Sequence, residues 1–175
     1  TTDTNYINLD DYNDVIIKSD TATGKTSLVI AYIKKNPQPI LSFVSRISLA
    51  ESHYEAFQGA NIPMCNYLLT IGNFKTGDSV VITLESIKKV ADINVSEYVV
   101  FLDEYDSLIQ HLIKSPTIKD NKIYAWSMLR KILRECKKII IADADIHTNR
   151  LKFINDMDRH FTTIHNLYMH NKDIN

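Results

Sequence analysis

Residues 15–30 read Val15-Ile16-Ile17-Lys18-Ser19-Asp20-Thr21-Ala22-Thr23-Gly24-Lys25-Thr26-Ser27-Leu28-Val29-Ile30. The run begins with β-branched apolar residues, passes through small and polar ones, and continues after Gly-Lys-Thr with apolar positions at helical spacing. A strand, a turn and a helix in this order point backbone N–H groups and a helix N-terminus at one place, which favours an anion. We therefore predict a phosphate-binding loop between this strand and this helix.

The predicted loop gives separate roles to its residues. The lysine after the glycine reaches the β- and γ-phosphates of a nucleotide, and the hydroxyl after it binds Mg²⁺; Lys25 and Thr26 have these types at these places. Ser19 stands where the strict G-x-x-x-x-G-K-[ST] pattern has its first glycine, and a small residue is tolerated there. The alternative is that Gly24 simply begins a helix. The residues predicted to bind the nucleotide are Ser19, Asp20, Thr21, Ala22, Thr23, Gly24, Lys25 and Thr26.

A second apolar run ends in two acids, Asp103 and Glu104. In an open parallel sheet, ligands bind beyond the carboxyl ends of the strands, so these acids are expected beside the phosphate loop. Asp103 is predicted to hold Mg²⁺ together with Thr26, and Glu104 to orient or deprotonate the water that attacks the γ-phosphate. The alternative is that both acids lie at a helix N-terminus, where the helix dipole favours them without any catalytic role.

Short apolar segments alternate with longer amphipathic ones along the chain. Strands are predicted at residues 14–18, 39–45, 64–68, 79–83, 98–103 and 138–143, and helices at 25–35, 48–57, 84–90, 105–114, 122–136 and 146–157. Several of these strands are apolar throughout, which is typical of a sheet covered by helices on both faces. We predict an α/β fold with a parallel, doubly wound sheet, in one domain spanning residues 1–175.

The composition limits the class of protein and the partners that it can bind. The 175 residues are 45% hydrophobic and 23% charged, as in an ordinary globular domain. Twenty Lys and Arg against 21 Asp and Glu give a net charge of −1, so any nucleic-acid site must be a local patch. No apolar run approaches the roughly 20 residues that span a bilayer, so no membrane partner is expected. The acidic first 14 residues are unlike a signal peptide, and we expect an intracellular, soluble chain with reduced cysteines.

These motifs resemble the first RecA-like domain of superfamily 2 helicases, and most closely the helicase domain of herpesvirus origin-binding protein and its relatives in large DNA viruses. Four further segments carry the likeness. The first resembles motif Ia, the second a Glu-Ser-Leu segment, the third an Asp-Ala-Asp-Leu motif III, and the fourth an Ile-His-Asn-x-Tyr segment. In this chain they are Ser42-Phe43-Val44-Ser45-Arg46-Ile47-Ser48-Leu49, Thr83-Leu84-Glu85-Ser86-Ile87, Ile141-Ala142-Asp143-Ala144-Asp145-Ile146 and Thr163-Ile164-His165-Asn166-Leu167-Tyr168.

The resemblance implies further site residues. By analogy with motif Ia, Arg46 contacts the backbone of single-stranded DNA, and a guanidinium suits phosphate. Thr83, Glu85 and Ser86 are implied to contact the same strand. Asp143 and Asp145 are implied to couple the γ-phosphate site to the nucleic-acid groove. The alternatives are a solvated surface arginine, helix caps at Thr83 or Ser86, and carboxylates that cap the helix after the strand.

The implied function is the ATP-binding domain of a DNA helicase or replication origin-binding ATPase, with ATP and Mg²⁺ as cofactors. Its implied partners are single-stranded DNA and a second RecA-like domain. Nothing after Asp145 resembles that second domain, so we expect weak or absent ATPase activity and no unwinding by this chain alone. The resemblance implies a viral replication compartment in the host nucleus or cytoplasm.

Two other functions stay open. Ser19 and Ala22 depart from the family's loop, which leaves room for a nucleotide-dependent or inactive scaffold module. A phosphate-loop small-molecule kinase is disfavoured, because no arginine-rich lid lies between the loop and the acid pair. A GTPase is disfavoured because the chain has no Asn-Lys-x-Asp motif.

Overall fold

The structure, a computed structural model, describes residues 7–19, 24–114, 121–144, 146 and 148–165. A seven-stranded sheet, parallel at every pairing, runs through these residues in the order β3-β4-β2-β5-β6-β1-β7. This confirms the predicted α/β class and the parallel sheet. The strands are β1 (Asp14–Lys18), β2 (Ile40–Val44), β3 (Cys65–Asn66), β4 (Val80–Thr83), β5 (Val99–Asp103), β6 (Lys138–Asp143) and β7 (Phe161–His165).

The middle of the sheet is covered on both faces. Every residue of β2, β4 and β5 is buried, and successive residues of a strand point to opposite faces. The covering helices form two contacting pairs, α1 with α2 and α3 with α4. The helices are α1 (Lys25–Lys35), α2 (Ile47–Gly59), α3 (Tyr105–Lys114), α4 (Lys122–Glu135) and α5 (Thr148–Asn155). None of the helices in the described ranges is both long and apolar enough to cross a membrane.

Several elements differ from the prediction. The 3-10 helices Leu9–Asp11 and Val95–Glu97 were not predicted, and the helix predicted at 146–157 is the shorter α5. The strand predicted at 64–68 is reduced to β3, because the Asn66 side chain accepts the Leu68 N–H at 3.0 Å and turns the chain. Leu84–Val90 is a 3-10 helix instead of an α-helix. β7 was not predicted: it pairs with β1 at the edge of the sheet and is partly exposed, so its sequence lacks the continuous apolar run of the inner strands.

The amino edge of the sheet is tied together by a buried ion pair. Arg159 donates from Nε and Nη2 to the two carboxylate oxygens of Asp14, at 2.8 and 2.9 Å. The same carboxylate accepts the backbone N–H of Ile139, and Arg159 also donates to the carbonyl of Cys136. These contacts join the starts of β1 and β6 to the segment that leads into β7, at the end of the sheet opposite the predicted loop.

Candidate nucleotide and nucleic-acid site

Three neighbouring strands end at the place where the site is predicted. β5, β6 and β1 are adjacent in the sheet, and their registers align Asp103 with Ala142 and Asp143 with Lys18. Because all three strands are parallel, their carboxyl ends meet at one edge. The residue after β1, Ser19, continues this pairing by donating its N–H to the Asp143 carbonyl at 2.9 Å. The predicted loop and the predicted acids therefore start from the same edge.

The start of α1 carries the loop's lysine to Asp103. Gly24 precedes the helix with a φ of 79°, a left-handed conformation that favours glycine. An added Cβ would meet Ser27 at an ordinary 3.8 Å, so backbone conformation, and not space, requires glycine here. Lys25 is buried, with Nζ 3.9 Å from Asp103 Oδ1, and Thr26 is half-buried on the next position of the helix. The predicted loop residues Asp20, Thr21, Ala22 and Thr23 lie outside the described residues.

The Asp103 carboxylate is held at both of its oxygens. Oδ1 accepts the backbone N–H of Glu104 at 2.9 Å, and Oδ2 lies 2.8 Å from Nε2 of His53. Asp103 is only 5% exposed. Its orientation is therefore fixed by neighbouring protein groups.

Glu104 has an unusual backbone and a distinctive side-chain environment. Its φ of 48° lies in the left-handed region, which costs a non-glycine residue on the order of 1 kcal/mol or more and is frequent at functional sites. Its Oε2 atom is buried and has no hydrogen-bond partner among the described residues, but it lies 3.8 Å from Nη2 of Arg46. The predicted catalytic glutamate and the predicted DNA-contact arginine are thus direct neighbours.

Asp143 joins β6 to the helix that follows the acid pair. Its Oδ2 accepts the backbone N–H of Asp106 at 2.7 Å, and its Oδ1 accepts the N–H of Ala144 at 2.7 Å. The carboxylate therefore lies at the N-terminus of α3, whose dipole favours a negative charge. This differs from a cap on the helix after β6, and it links the third motif to the segment that contains Glu104. Asp145 lies outside the described residues.

The next predicted contact group follows β4. Thr83 is 3% exposed, so its side chain is buried away from a ligand, and it makes no capping bond to the 3-10 helix after it. Ser86 is half-buried, while Glu85 is exposed and hydrogen-bonded to His111 on α3. Of the four predicted DNA-contact residues, Arg46 is the exposed cation at this edge of the sheet.

His53 was not singled out from the sequence, yet it contacts the centre of the site. It lies on α2, is 3% exposed, and connects Asp103 to Ser42 of β2. The available signal was its position on the helix, three residues after Ala50 and four before Phe57, which are both buried. A polar residue within an apolar helix stripe requires a buried partner.

The donor atoms at this edge suit Mg²⁺ and a nucleotide. Carboxylate and hydroxyl oxygens are the hard ligands that Mg²⁺ prefers, and Asp103 and Thr26 supply one of each. The distance of 3.9 Å between Lys25 and Asp103 is longer than a hydrogen bond, so the ammonium is not committed to that carboxylate. These residues therefore fit the group that the loop predicts.

The fold is the RecA-like fold of solved helicase domains. A hypothetical ATP-dependent RNA helicase from Sulfolobus tokodaii superposes with a TM-score of 0.61 at 15% identity, over 87% of this chain and 48% of that one. A DEAD box protein from Methanococcus jannaschii also gives 0.61, at 13% identity, over 90% of this chain and 46% of that one. At such low identity, the likeness establishes the fold alone.

The chain belongs to the origin of replication binding protein family, whose model matches residues 13–171. A "putative replication origin binding protein" of Escherichia phage T5 is 26% identical over 140 residues, which is 78% of this chain and 15% of that protein. An "uncharacterized putative helicase" of Acanthamoeba polyphaga mimivirus is 25% identical over 155 residues, 82% of this chain and 14% of that protein. The predicted viral origin-binding and helicase relationship is confirmed, and the chain spans only a small part of these relatives.

Proposed function

We propose that this chain is the ATP-binding domain of a DNA helicase or replication origin-binding ATPase. In this function it couples ATP hydrolysis to the binding of single-stranded DNA when it is joined to a second RecA-like domain. The observation that carries the proposal is the buried pair of Lys25 and Asp103, with Nζ and Oδ1 3.9 Å apart at the carboxyl edge of the sheet. Membership of the origin-binding family supports the choice of DNA as the nucleic acid.

Each residue at the edge has one proposed task. Lys25 binds the β- and γ-phosphates, while Thr26 and Asp103 hold Mg²⁺. The bound metal supplies neutralisation of the negative charge that develops on the phosphate oxygens. Glu104 orients the attacking water and accepts its proton, and its Oε2 has no competing hydrogen-bond donor among the described residues.

Arg46 is proposed to connect DNA binding to hydrolysis. Its side chain is 64% exposed and lies beside Glu104. A backbone phosphate offers the guanidinium a bidentate partner, so DNA binding competes with Glu104 for Arg46. When the strand binds Arg46, the carboxylate of Glu104 becomes available for water.

A second domain is proposed from the lengths of the similar proteins. The chain covers 48% and 46% of the two helicase structures that it resembles, and 15% of the phage relative. In related phosphate-loop enzymes, an arginine supplied from outside the loop is worth about 10³–10⁵ in rate. The second RecA-like domain is the proposed source of that arginine, and the place of action is proposed to be a viral replication compartment.

The proposal is tested by calorimetric titration of a slowly hydrolysed ATP analogue with Mg²⁺. Wild type is compared with Lys25→Ala and with Lys34→Ala, a matched control because Lys34 is an exposed lysine at the far end of the same helix. Binding by wild type and Lys34→Ala, lost in Lys25→Ala, is the expected result. No binding by folded wild type would reject an ATP-binding domain and favour the scaffold module.

A further inference from the structure

Three side chains on one face of the sheet surround the imidazole of His53. Ser42 of β2 and Phe101 of β5 are register partners on adjacent strands, and Asp103 lies two residues beyond Phe101. Since side chains two residues apart on a strand share a face, all three point toward α2, which carries His53. Two neighbouring strands and one helix therefore meet at this ring.

The side-chain contacts around His53 form a continuous buried series. Ser42 Oγ lies 3.1 Å from His53 Nδ1, and His53 Nε2 lies 2.8 Å from Asp103 Oδ2. Ser42, His53 and Asp103 are all buried. The imidazole also stacks on the Phe101 ring, with the centroids 5.6 Å apart and the planes at 13°. The ring is held both by its edge atoms and by its face, so it has one available orientation.

Hydrogen-bond chemistry shows which atom donates at the contact between His53 and Asp103. An ionised carboxylate only accepts, so His53 Nε2 carries a hydrogen and donates to Asp103. In the neutral ring Nδ1 is then an acceptor, and the Ser42 hydroxyl donates to it. With hydrogen on Nε2, the ring donates to Asp103 whether Nδ1 accepts from Ser42 or donates to it.

We propose that His53 is a positioning residue, which holds the Asp103 carboxylate in the orientation required for Mg²⁺ binding. This inference rests on the proposed function, because Asp103 is a metal ligand only if the chain binds Mg²⁺ with its nucleotide. The His53 bond to Oδ2 and the Glu104 N–H bond to Oδ1 fix the carboxylate at two points. Each oxygen keeps a further lone pair for the metal or for water bound to it.

The effect of such a hydrogen bond on metal affinity can be measured. Removing a hydrogen-bond partner of a metal ligand typically lowers metal affinity by about 10–100-fold, although the partner never touches the metal. A residue that only fills space in the core would change stability without changing the metal's share of nucleotide affinity. The contribution of Mg²⁺ to nucleotide binding therefore separates the two roles.

The test uses two amide substitutions of different length. In His53→Gln the side-chain amide nitrogen takes about the place of Nε2 and still donates to Asp103. In His53→Asn the amide takes about the place of Nδ1, where it reaches Ser42 but not Asp103. Both variants remove the ring and its stack on Phe101, and they differ in which end of the hydrogen-bonded series the amide reaches: Asp103 for Gln and Ser42 for Asn. Thermal unfolding identifies the folded fraction of each.

The measured quantity is the ratio of the dissociation constants for the ATP analogue in EDTA and in excess Mg²⁺. We expect His53→Asn to lower this ratio by about 10–100-fold and His53→Gln to restore most of it. Affinity in EDTA is expected to match wild type in both. A wild-type ratio of one would overturn the metal site and the proposed function with it. A large wild-type ratio retained in His53→Asn would overturn the role of His53 alone.

A second readout needs no nucleotide and does not depend on either variant folding. Long-range ¹⁵N–¹H correlation spectra of the wild-type chain report which ring nitrogen of His53 carries hydrogen. The inference predicts hydrogen on Nε2 in the wild-type chain. A ring with hydrogen on Nδ1 and none on Nε2 would overturn it.

Discussion

Arg46 Nη2 lies 3.8 Å from Glu104 Oε2, so the proposed DNA contact and the proposed catalytic glutamate form an ion pair. The two side chains are 64% and 25% exposed, and an ion pair this open to water contributes only about 0–1 kcal/mol. A DNA phosphate can therefore replace Glu104 as the partner of Arg46 at small cost. The pair joins the ends of two sheet neighbours, β2 and β5, which places both sites at one edge.

Arg46→Gln is expected to remove one phosphate contact from the complex with single-stranded DNA. The slope of log K against log[salt] should then become shallower by about 0.7, the value for one phosphate on a single strand. Arg46→Lys should keep the slope, because it keeps the charge, and Lys34→Gln should leave it unchanged. Fluorescence anisotropy of a labelled oligothymidine at several salt concentrations measures it. An unchanged slope in Arg46→Gln would show that Arg46 does not contact the strand.

The chain alone is expected to hydrolyse ATP slowly and to unwind no duplex. Joining it to its second RecA-like domain should raise turnover by about 10³-fold or more, because the missing arginine stabilises charge in the transition state. Steady-state phosphate release by the two proteins measures the difference, with Glu104→Gln in each as the background control. Fast, DNA-stimulated turnover by the 175-residue chain would contradict the need for a second domain.

Arg159→Met is expected to destabilise the fold without weakening nucleotide binding. Asp14 is buried and would lose both bonds from Arg159, and breaking a buried ion pair from one side costs about 3–5 kcal/mol. The pair lies at the amino edge of the sheet, away from Lys25. Urea unfolding measures the loss, and Asp14→Asn combined with Arg159→Met should recover part of it. A normal free energy of unfolding in Arg159→Met would show that the pair contributes little.

Stability is expected to fall above pH 9 in a way that depends on Cys136. Burial raises the pKa of the Cys136 thiol to about 12, from an ordinary 9.0. Between these values the unfolded chain loses the thiol proton and the folded chain keeps it, so stability is lost as pH rises through this window. At pH 10 the loss is about 1 kcal/mol.

Cys136→Ala isolates that contribution. The substitution removes the thiol titration, so the stability that it costs is largest below pH 9 and becomes smaller as pH rises. Urea unfolding at pH 8, 9 and 10 should therefore show a shallower decline in the variant than in wild type. Parallel declines in the two proteins would contradict the raised pKa.

The inner strands were predictable because local sequence and burial agree there. β1 and β6 have the predicted bounds, since apolar runs such as Ile139-Ile140-Ile141 are required wherever helices cover both faces. The same holds for α1 and α3, whose apolar spacing marks their buried faces. β7 was missed because an edge strand with exposed threonines is defined by its pairing with β1 and not by its own composition.

Some residues of the candidate site were likewise predictable from the sequence, and others were not. Lys25, Asp103 and Glu104 follow from short motifs and from the rule that parallel strands end at one edge. His53 does not, because its contacts to Ser42 and Asp103 span 11 and 50 residues of chain and follow only from packing α2 on the sheet. The ion pair between Arg46 and Glu104 likewise joins residues far apart in sequence, and the left-handed backbone at Glu104 is not predictable from its residue type.

The most direct test of the account is the affinity for single-stranded DNA with and without the Mg²⁺-bound ATP analogue. If nucleotide draws Glu104 away from Arg46, the wild-type chain should bind DNA up to about fivefold more tightly with nucleotide, the equivalent of about 1 kcal/mol. DNA should tighten nucleotide binding by the same factor. Glu104→Gln should bind DNA at the higher affinity in both states. Equal DNA affinities in the two states of wild type, with both ligands bound, would contradict the coupling.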